Sequence, residues 1–272
     1  MEPMNTGTNA GTKTYPTILH VISGLNVGGA EMMLLKLLRS SPEIRHAVLS
    51  LSEGGELLPE IEALGIPVHQ VPMPGGLPRP GLCRTYRQLV QSTDPDVVAA
   101  WMYRANALAS MLTPPEVPVV WHVRQSLDHN SSQRLLFRFT RRVNRFIARH
   151  TARGPALVVY NSRSSRDQHR RFGLDASPDR VIPNGFDTDQ FRPDREIRAA
   201  VRREWGFGEE ETVFGIVGRH HPIKNHIGFV RAAGRAQGAN LTAGRSLRFV
   251  MAGRGLDKDN APLNREIESC GL

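Results

Sequence analysis

The chain has 272 residues, of which 40% are apolar and 22% charged, with 25 glycines and 19 prolines. This is the composition of a globular α/β protein with many turns, and the length allows two domains or one large one. The 35 basic residues outnumber the 26 acidic ones and give a formal net charge of +9, which predicts an anionic partner: phosphate-bearing substrates, nucleic acid or an acidic membrane surface.

The amino terminus and the cysteines argue against secretion. Residues 1–16 are polar, lack the apolar core of a signal peptide, and are expected to form a disordered tail. The two cysteines allow at most one disulfide bridge and have no metal-ligand spacing. No apolar run approaches the roughly 18 residues that would span a bilayer. We therefore expect a cytoplasmic protein that is soluble, or at most peripheral at the inner face of the cell membrane.

Strand and helix patterns alternate along the first two thirds of the chain. Short apolar runs predict seven strands, at residues 18–22, 46–51, 67–73, 96–102, 118–123, 156–160 and 180–182. Helical patterns lie between them. Strands separated by helices pair in parallel and form a sheet that is covered on both faces.

A turn-rich segment, residues 183–194, separates this region from a second one. A helix is predicted at 195–205, and strands at 213–217 and 247–252 restart the alternation. We place the domain boundary near residue 191, with a first domain at 17–191 and a second at 192–272. About 80 residues is small for a doubly wound domain, so we expect the second domain to be incomplete and the chain to be truncated.

Two consecutive glycines, Gly28 and Gly29, lie between the first predicted strand and its helix. Open parallel sheets bind ligands at such positions, and exposed backbone N–H groups at a helix start suit an oxyanion or a sugar hydroxyl. The spacing is not GxGxxG, so the dinucleotide fingerprint is absent. A tight turn without a ligand is the alternative.

The fifth predicted strand ends in His122 and Arg124, which places both near the carboxyl edge of the sheet. His122 can hydrogen-bond a substrate hydroxyl or share a proton, and Arg124 can bind an acid or a phosphate. The prediction places the two side chains on opposite faces of the sheet. The alternative for His122 is a core histidine that is bonded to a neighbouring carbonyl.

Residues 135–150 have a sharply amphipathic pattern that predicts a helix. One face carries arginines: Arg134, Arg138, Arg141, Arg142, Arg145 and Arg149. Three interpretations stay open, namely a solvated helix packed on the sheet, a membrane-surface helix, or a contact for a pyrophosphate-bearing acceptor. Nucleic acid is disfavoured, because the aromatic residues lie on the opposite face, where bases cannot stack on them.

Residues 212–225 read as a strand, then Gly218 and Arg219, a short turn, and Lys224 at the start of a new helix. Gly218 lets the backbone approach a ligand closely. Arg219 offers a planar fork and Lys224 a point charge, near a helix N-terminus that favours anions. The pattern predicts a phosphate-binding loop, with ordinary surface charge as the alternative.

Taken together, four stretches resemble family 4 of the retaining glycosyltransferases, which are nucleotide-sugar-dependent enzymes of GT-B fold. The stretches are LHVISGLNVGGAE, VVYNSRSSRDQHRRFG, VIPNGFDTDQFRPD and VGRHHPIKN. The similarity runs from about Thr17 to the last residue and keeps the family order. It implies two Rossmann-like, doubly wound parallel-sheet domains, with the acceptor mainly on the first and the donor nucleotide mainly on the second.

The resemblance also implies roles for individual residues. Gly28 and Gly29 match the glycine loop near the donor diphosphate and the acceptor, and Asn184 with Gly185 match the turn between the domains. Arg219 and Lys224, beside Gly218, match the basic pair that holds the donor pyrophosphate, and His122 matches a histidine that contacts the transferred sugar. Arg124 would belong to the acceptor side.

The implied reaction transfers a hexose from a UDP or GDP sugar to a glycan or a polyprenyl- or lipid-linked acceptor, with retention, in surface polysaccharide or glycolipid assembly. Preorganised cations can stabilise the leaving diphosphate without a cofactor or metal. No acidic pair resembling the metal-binding DxD of other glycosyltransferases stands in a suitable place, since Asp187-Thr188-Asp189 lies in the linker.

The family's late E-x7-E element would lie beyond Leu272. The chain is therefore expected to lack part of the donor site, which would make it inactive or poorly stable. The alternatives are another GT-B enzyme, such as a sugar-nucleotide epimerase, or an inactive fragment that binds nucleotide sugars.

Overall fold

A computed structural model describes residues 15–74, 78–125, 154–171, 178–238 and 246–272. The chain divides into two compact units, residues 1–185 and 186–272, whereas the sequence pattern places the boundary near residue 191. Most of the predicted amino-terminal tail lies outside the described residues, and so does the predicted amphipathic helix at 135–150.

The first unit is built on one parallel sheet of seven strands, in the order β3-β2-β1-β4-β5-β6-β7. The predicted α/β class and parallel pairing are thus confirmed. β1 lies next to both β2 and β4, so the chain reverses its direction of travel across the sheet at this point, and ligands bind at such crevices in open α/β sheets. The strands are β1 (Thr17–Ile22), β2 (Arg45–Ser50), β3 (Val68–Gln70), β4 (Val97–Trp101), β5 (Val119–Val123), β6 (Leu157–Tyr160) and β7 (Asp179–Val181).

Helices cover both faces of this sheet. Side chains of α1 and α2 form one buried cluster with Ile22, Val48 and Trp101. Side chains of α3 and α4 form a second cluster around Val21 and Tyr86. Successive side chains of a strand point to opposite faces of the sheet, and both faces are covered, so the strand sequences are nearly continuous apolar runs. The helices of this unit are α1 (Gly29–Ser40), α2 (Leu58–Glu62), α3 (Pro80–Thr93), α4 (Met102–Leu112) and α5 (Arg163–Arg171).

The second unit contains two described strands, which pair in parallel with Val217 opposite Ala252. Arg202, buried on α6, donates to the carbonyl oxygens of Gly208 and Glu211 and so joins this helix to the segment before β8. The elements are α6 (Arg195–Glu204), β8 (Thr212–Val217), a 3-10 turn (Pro222–Lys224), α7 (His226–Gly238), β9 (Leu247–Ala252) and α8 (Ala261–Ser269).

Candidate functional site

The loop after β1 is fixed by the loop after β2. Val27 N donates to Glu56 Oε2 at 2.9 Å, and Leu57 N donates to Leu25 O at 2.9 Å. A Cβ atom at Gly55 would collide with the Leu25 backbone, and Gly55 has a φ of +129°, so this close approach requires glycine. The loop therefore delivers the chain to the start of α1 in one defined position.

At that start, Gly28 is the N-cap residue of α1, with extended backbone and no side-chain cap. A Cβ atom at Gly28 would collide with the carboxylate of Glu31, while one at Gly29 would meet nothing within 4 Å. The carboxylate of Glu31, at the end of a flexible side chain, therefore lies beside Gly28 in the first turn of α1, and the space at Gly29 is open. The helix dipole favours an anion at this end.

The Asn184–Gly185 turn lies against α1. Lys36 Nζ donates to Gly185 O at 3.1 Å. This bond links α1, the helix that follows the predicted glycine loop, to a turn near the end of the same unit. Asn184 Oδ1 is buried and has no hydrogen-bond partner among the described residues. Lys36 was not predicted from the sequence, because a lysine on an amphipathic helix gives no signal of such a long-range contact.

The passage from β4 into α4 has a strained residue. Met102 has a φ of +71°, a conformation that is an outlier for a non-glycine residue. With its amide nitrogen turned towards the turn, the buried Asn106 side chain donates to Ala100 O at 2.8 Å and to Met102 O at 3.2 Å. These bonds hold Trp101 at the end of β4, at the carboxyl edge of the sheet.

His122 stacks on Trp101, with ring centroids 4.1 Å apart and planes 7° from parallel. Burial, and to a smaller extent the nearby positive charge of Arg124, lower the pKa of His122 to about 3. The imidazole is therefore neutral at physiological pH. It can accept or donate a hydrogen bond, but at this pH it is not an imidazolium that could act as an acid. Its Nδ1 atom is buried without a hydrogen-bond partner among the described residues.

Arg124 contacts the same indole as His122. Its Cζ lies 5.5 Å from the centroid of the Trp101 ring, and its Nη1 donates to Ile182 O at 3.3 Å. The prediction that His122 and Arg124 point to opposite faces is wrong, because side chains two residues apart in a strand lie on the same face. Burial lowers the pKa of the Arg124 guanidinium, and its Nε is buried without a partner among the described residues.

A row of buried polar side chains continues from Trp101 across the sheet. Trp101 Nε1 donates to His20 Nδ1 at 3.2 Å, and His20 Nε2 lies 3.0 Å from His46 Nδ1. His46 Nε2 lies 3.0 Å from Ser41 Oγ, at the end of α1. The sequence signal that could have revealed the row is a histidine inside three apolar strands, β1, β2 and β5.

In the second unit, the predicted loop follows β8. Gly218 has a φ of +157°, and the Cδ and Cε atoms of Lys224 pass 3.4 Å from the Cβ position of Gly218. The lysine stem therefore lies against the residue that precedes Arg219, and both cations are exposed. Lys224 ends the 3-10 turn directly before α7, so its charge adjoins the first turn of that helix.

The ends of β8 and β9 interlock in the same unit. A Cβ atom at Gly253 would collide with Gly218 O, and His220 N donates to Arg254 O at 2.7 Å. Two Gly–Arg pairs thus lie side by side at one sheet edge. His226, the first residue of α7, is 2% exposed, and neither ring nitrogen has a hydrogen-bond partner among the described residues.

The remaining predicted site residues lie outside the described residues: Arg134, Arg138, Arg141, Arg142, Arg145 and Arg149. Within the described ranges, no cluster of three or more His, Cys, Asp or Glu side chains could hold a metal ion. Among the helices that are described, none combines the length and apolarity needed to cross a membrane.

A parallel sheet with helices on both faces defines a doubly wound α/β fold. Comparison with solved structures gives the same fold: HepE from Anabaena, in complex with UDP and glucose, has a TM-score of 0.72 at 20% identity, over 95% of this chain and 67% of HepE. The fold is therefore GT-B-like.

The sequence profile of Glycosyltransferase Family 4 matches residues 27–190, and the chain belongs to this family. Two curated relatives agree. The chain is 27% identical to the putative glycosyltransferase EpsF from Bacillus subtilis, over 92% of this chain and 64% of EpsF. It is 32% identical to D-inositol 3-phosphate glycosyltransferase from Nocardia farcinica, over 43% of this chain and 26% of that protein. The chain thus spans less than two thirds of the length of either curated relative.

Proposed function

We propose that this protein is a glycosyltransferase that moves a hexose from a UDP or GDP sugar to a glycan or to a polyprenyl- or lipid-linked acceptor, with retention of configuration. The pathway would be surface polysaccharide or glycolipid biosynthesis. The observation that carries the proposal is the loop after β8, where Lys224 lies against Gly218 and Arg219 follows at once. Family membership and the presence of UDP in the HepE structure support a nucleotide-sugar donor.

The loop has the charge that the departure of a nucleoside diphosphate requires. Negative charge builds on the leaving phosphate oxygen as the sugar bond breaks. A guanidinium, an ammonium and the first N–H groups of α7 would meet that charge without reorganisation, which is the condition for strong electrostatic stabilisation. In the proposed reaction these groups of the protein provide the positive charge that stabilises the leaving diphosphate, and no metal ion is needed.

His122 would hydrogen-bond the transferred sugar as a neutral imidazole, since burial and Arg124 keep its pKa near 3. A role as general acid at neutral pH does not fit that pKa. The retaining outcome is proposed as front-face transfer, in which the leaving diphosphate itself takes the acceptor's proton. Gly28, Gly29, Asn184 and Gly185 would approach the donor through backbone atoms.

The test is a transfer assay with a panel of UDP and GDP sugars on the full-length protein. Arg219→Ala and Lys224→Ala are each expected to lower the turnover rate by about 10²- to 10³-fold. The matched control is Arg235→Ala, which removes an exposed arginine from the last turn of α7, at the opposite end of the helix from Lys224. This control should retain normal turnover.

Three results would contradict the proposal: near-normal turnover of both loop variants, inversion at the anomeric carbon of the product, or loss of activity on chelation with EDTA. Interconversion of free nucleotide sugars without an acceptor would favour an epimerase. Donor binding without turnover by the full-length protein would favour an inactive binding protein.

We further propose that the protein acts at the inner face of the cell membrane. The net charge of +9 and the arginine-rich run at 134–149 support attraction to anionic lipid. Flotation with vesicles of phosphatidylglycerol and phosphatidylcholine should carry the protein, and Arg138→Gln, Arg141→Gln and Arg145→Gln together should reduce this. Equal flotation with pure phosphatidylcholine, or of the triple variant, would contradict membrane attraction.

A further inference from the structure

The row of buried polar side chains formed by Trp101, His20, His46 and Ser41 has hydrogen bonds that all donate in one direction, from Trp101 towards Ser41. An indole N–H can only donate, so His20 Nδ1 accepts from Trp101. A neutral His20 then carries its proton on Nε2 and donates to His46 Nδ1. His46 in turn carries its proton on Nε2 and donates to Ser41, whose Oγ lies 3.0 Å and whose backbone O lies 3.2 Å from that nitrogen.

The row ends on the backbone of α1. Ser41 Oγ donates to Leu37 O at 2.6 Å, so each member of the row uses its proton in the same direction. Protonating His20 would place a second N–H against the indole N–H and break the first bond of the row. Burial and the neighbouring His46 hold the pKa of His20 well below its usual value, in agreement with this assignment.

The row determines where the Trp101 indole lies. His20 and Trp101 are on neighbouring strands, with Ile22 opposite Trp101 in the register of β1 and β4. The indole is 1% exposed, so it binds no ligand itself. Its ring face instead supports His122 from the next strand, where Trp101 and His122 are direct neighbours in the register.

His122 has few other restraints. Its Nδ1 has no hydrogen-bond partner among the described residues, and the near-parallel stack on Trp101 is a contact that can fix the ring plane. A residue near a reacting centre must be held closely, since a displacement of about 1 Å can cost about 10²-fold in rate. The row of neutral side chains fixes the Trp101 indole, and the indole restrains His122, without placing a charge beneath the site.

We propose that Trp101 is a positioning residue for His122, and that the hydrogen-bonded row through His20 and His46 to Ser41 fixes the indole in that position. The importance of the row for catalysis rests on the proposed role of His122 in transfer. The geometric part stands on the protein alone and can be measured without any substrate.

The first experiment compares His20→Gln with His20→Leu by NMR of the ring resonances of the histidines and the indole N–H signals. Glutamine offers an oxygen to the Trp101 N–H and an amide N–H to His46, so His20→Gln should leave the Trp101 and His122 signals close to the wild type. Leucine offers neither group, and His20→Leu should shift both sets of signals. Unchanged His122 signals in His20→Leu would overturn the proposal.

The second experiment compares Trp101→Phe with Trp121→Phe in transfer kinetics. Trp121 is a matched control, because it is also buried in the sheet and its Nε1 also donates one side-chain bond, to Ser110 Oγ at 2.9 Å, on the opposite face. Trp101→Phe is expected to lower kcat by about 10-fold or more with little change in KM for the donor. Trp121→Phe should stay within about twofold of the wild type, because it shares no partner with His122.

The two experiments separate failure of this inference from failure of the proposed function. Equal loss of kcat in Trp101→Phe and Trp121→Phe would mean a structural role alone and would overturn the positioning role. Displaced His122 signals with unchanged kcat would also overturn it. If the wild type transfers no sugar at all, the proposed function fails, and the NMR comparison still decides whether the row positions His122.

Discussion

The candidate groups of the first unit rest on a sheet that is buried from both faces, whereas those of the second unit follow a strand whose side chains are partly exposed. Leu19 and Val21 in β1 are 0% exposed, while Val217 in β8 is 81% exposed and Phe214 is 49% exposed. His122 is held by a buried stack, and Arg219 and Lys224 are exposed cations on a loop. The two units therefore position their functional groups by different physical means.

This difference predicts how each part responds to change. In the first unit the position of a side chain depends on its packed neighbours, so a substitution several contacts away can displace it. In the second unit the backbone contact between Gly218 and Gly253 sets the loop, and the exposed charges act through the field around them. That field weakens as salt rises, because the screening length falls to about 8 Å at physiological ionic strength.

The largest expected effect separates the two units by stability. Leu35 on α1 is 0% exposed, so Leu35→Ala should lower the free energy of unfolding of the first unit by about 2–5 kcal/mol. Phe214→Ala should cost the second unit less, because about half of that ring already meets water. Hydrogen exchange measured by mass spectrometry reports each unit separately. Equal costs would remove the contrast between the units.

Much of the fold could be predicted from the sequence, because the signals are local. The seven apolar runs of the first unit became seven parallel strands. Six of them lie within one residue of their predicted bounds, and the third, β3, ends three residues earlier than predicted. Gly28, Gly218 and Lys224 were predicted as members of strand-to-helix loops, and the structure places them there. Their roles in binding stay predictions.

The row beneath the site could not be predicted in the same way. Trp101, His20 and His46 meet only because β2, β1 and β4 are neighbours in a fixed register. The sequence pattern of a single segment does not reveal the order of the strands in a sheet. The contact of Lys36 with Gly185 joins residues 149 positions apart. The error about the faces of His122 and Arg124 was one of counting, since the period of a strand already places them together.

The next effect in size is the response of the first unit to acid. Burial lowers the pKa of His20, His46 and His169. Below the unfolded-state pKa of about 6.5, the histidines of the unfolded chain bind protons, whereas these buried rings stay neutral. Their contribution to the free energy of unfolding is therefore fully present above that pH and is lost as the pH drops. One such histidine can contribute a slope of at most about 1.4 kcal/mol per pH unit, reached between its folded-state and unfolded-state pKa values.

Urea unfolding between pH 7.5 and 5.5 measures this slope. His20→Gln keeps the donor and the acceptor of the row but cannot titrate, so its stability should fall less steeply with acid than that of the wild type. His69→Gln is the control, since His69 lies outside the row, on the exposed side of β3. Identical slopes for His20→Gln and the wild type would show that His20 is not held neutral in the folded protein.

The smallest effect contrasts the starts of two helices. α6 begins with Asp194, whose Oδ1 accepts from the backbone N atoms of Glu196 and Ile197 at 2.9 Å each. α1 begins with Gly28 and has no such side-chain cap. A side-chain cap stabilises a helix by satisfying N–H groups of its first turn, so Asp194 contributes to the stability of α6 in a way that Gly28 cannot contribute to that of α1.

Asp194→Ala should therefore lower the free energy of unfolding of the second unit by about 1 kcal/mol. Asp194→Asn should retain most of that stability, because asparagine keeps the accepting oxygen and caps helices about as well as aspartate. Hydrogen exchange of the amides of Glu196 and Ile197 measures the effect where it arises. If the asparagine and alanine variants lose protection equally, the carboxylate acts on α6 through its charge on the helix dipole rather than through the two hydrogen bonds.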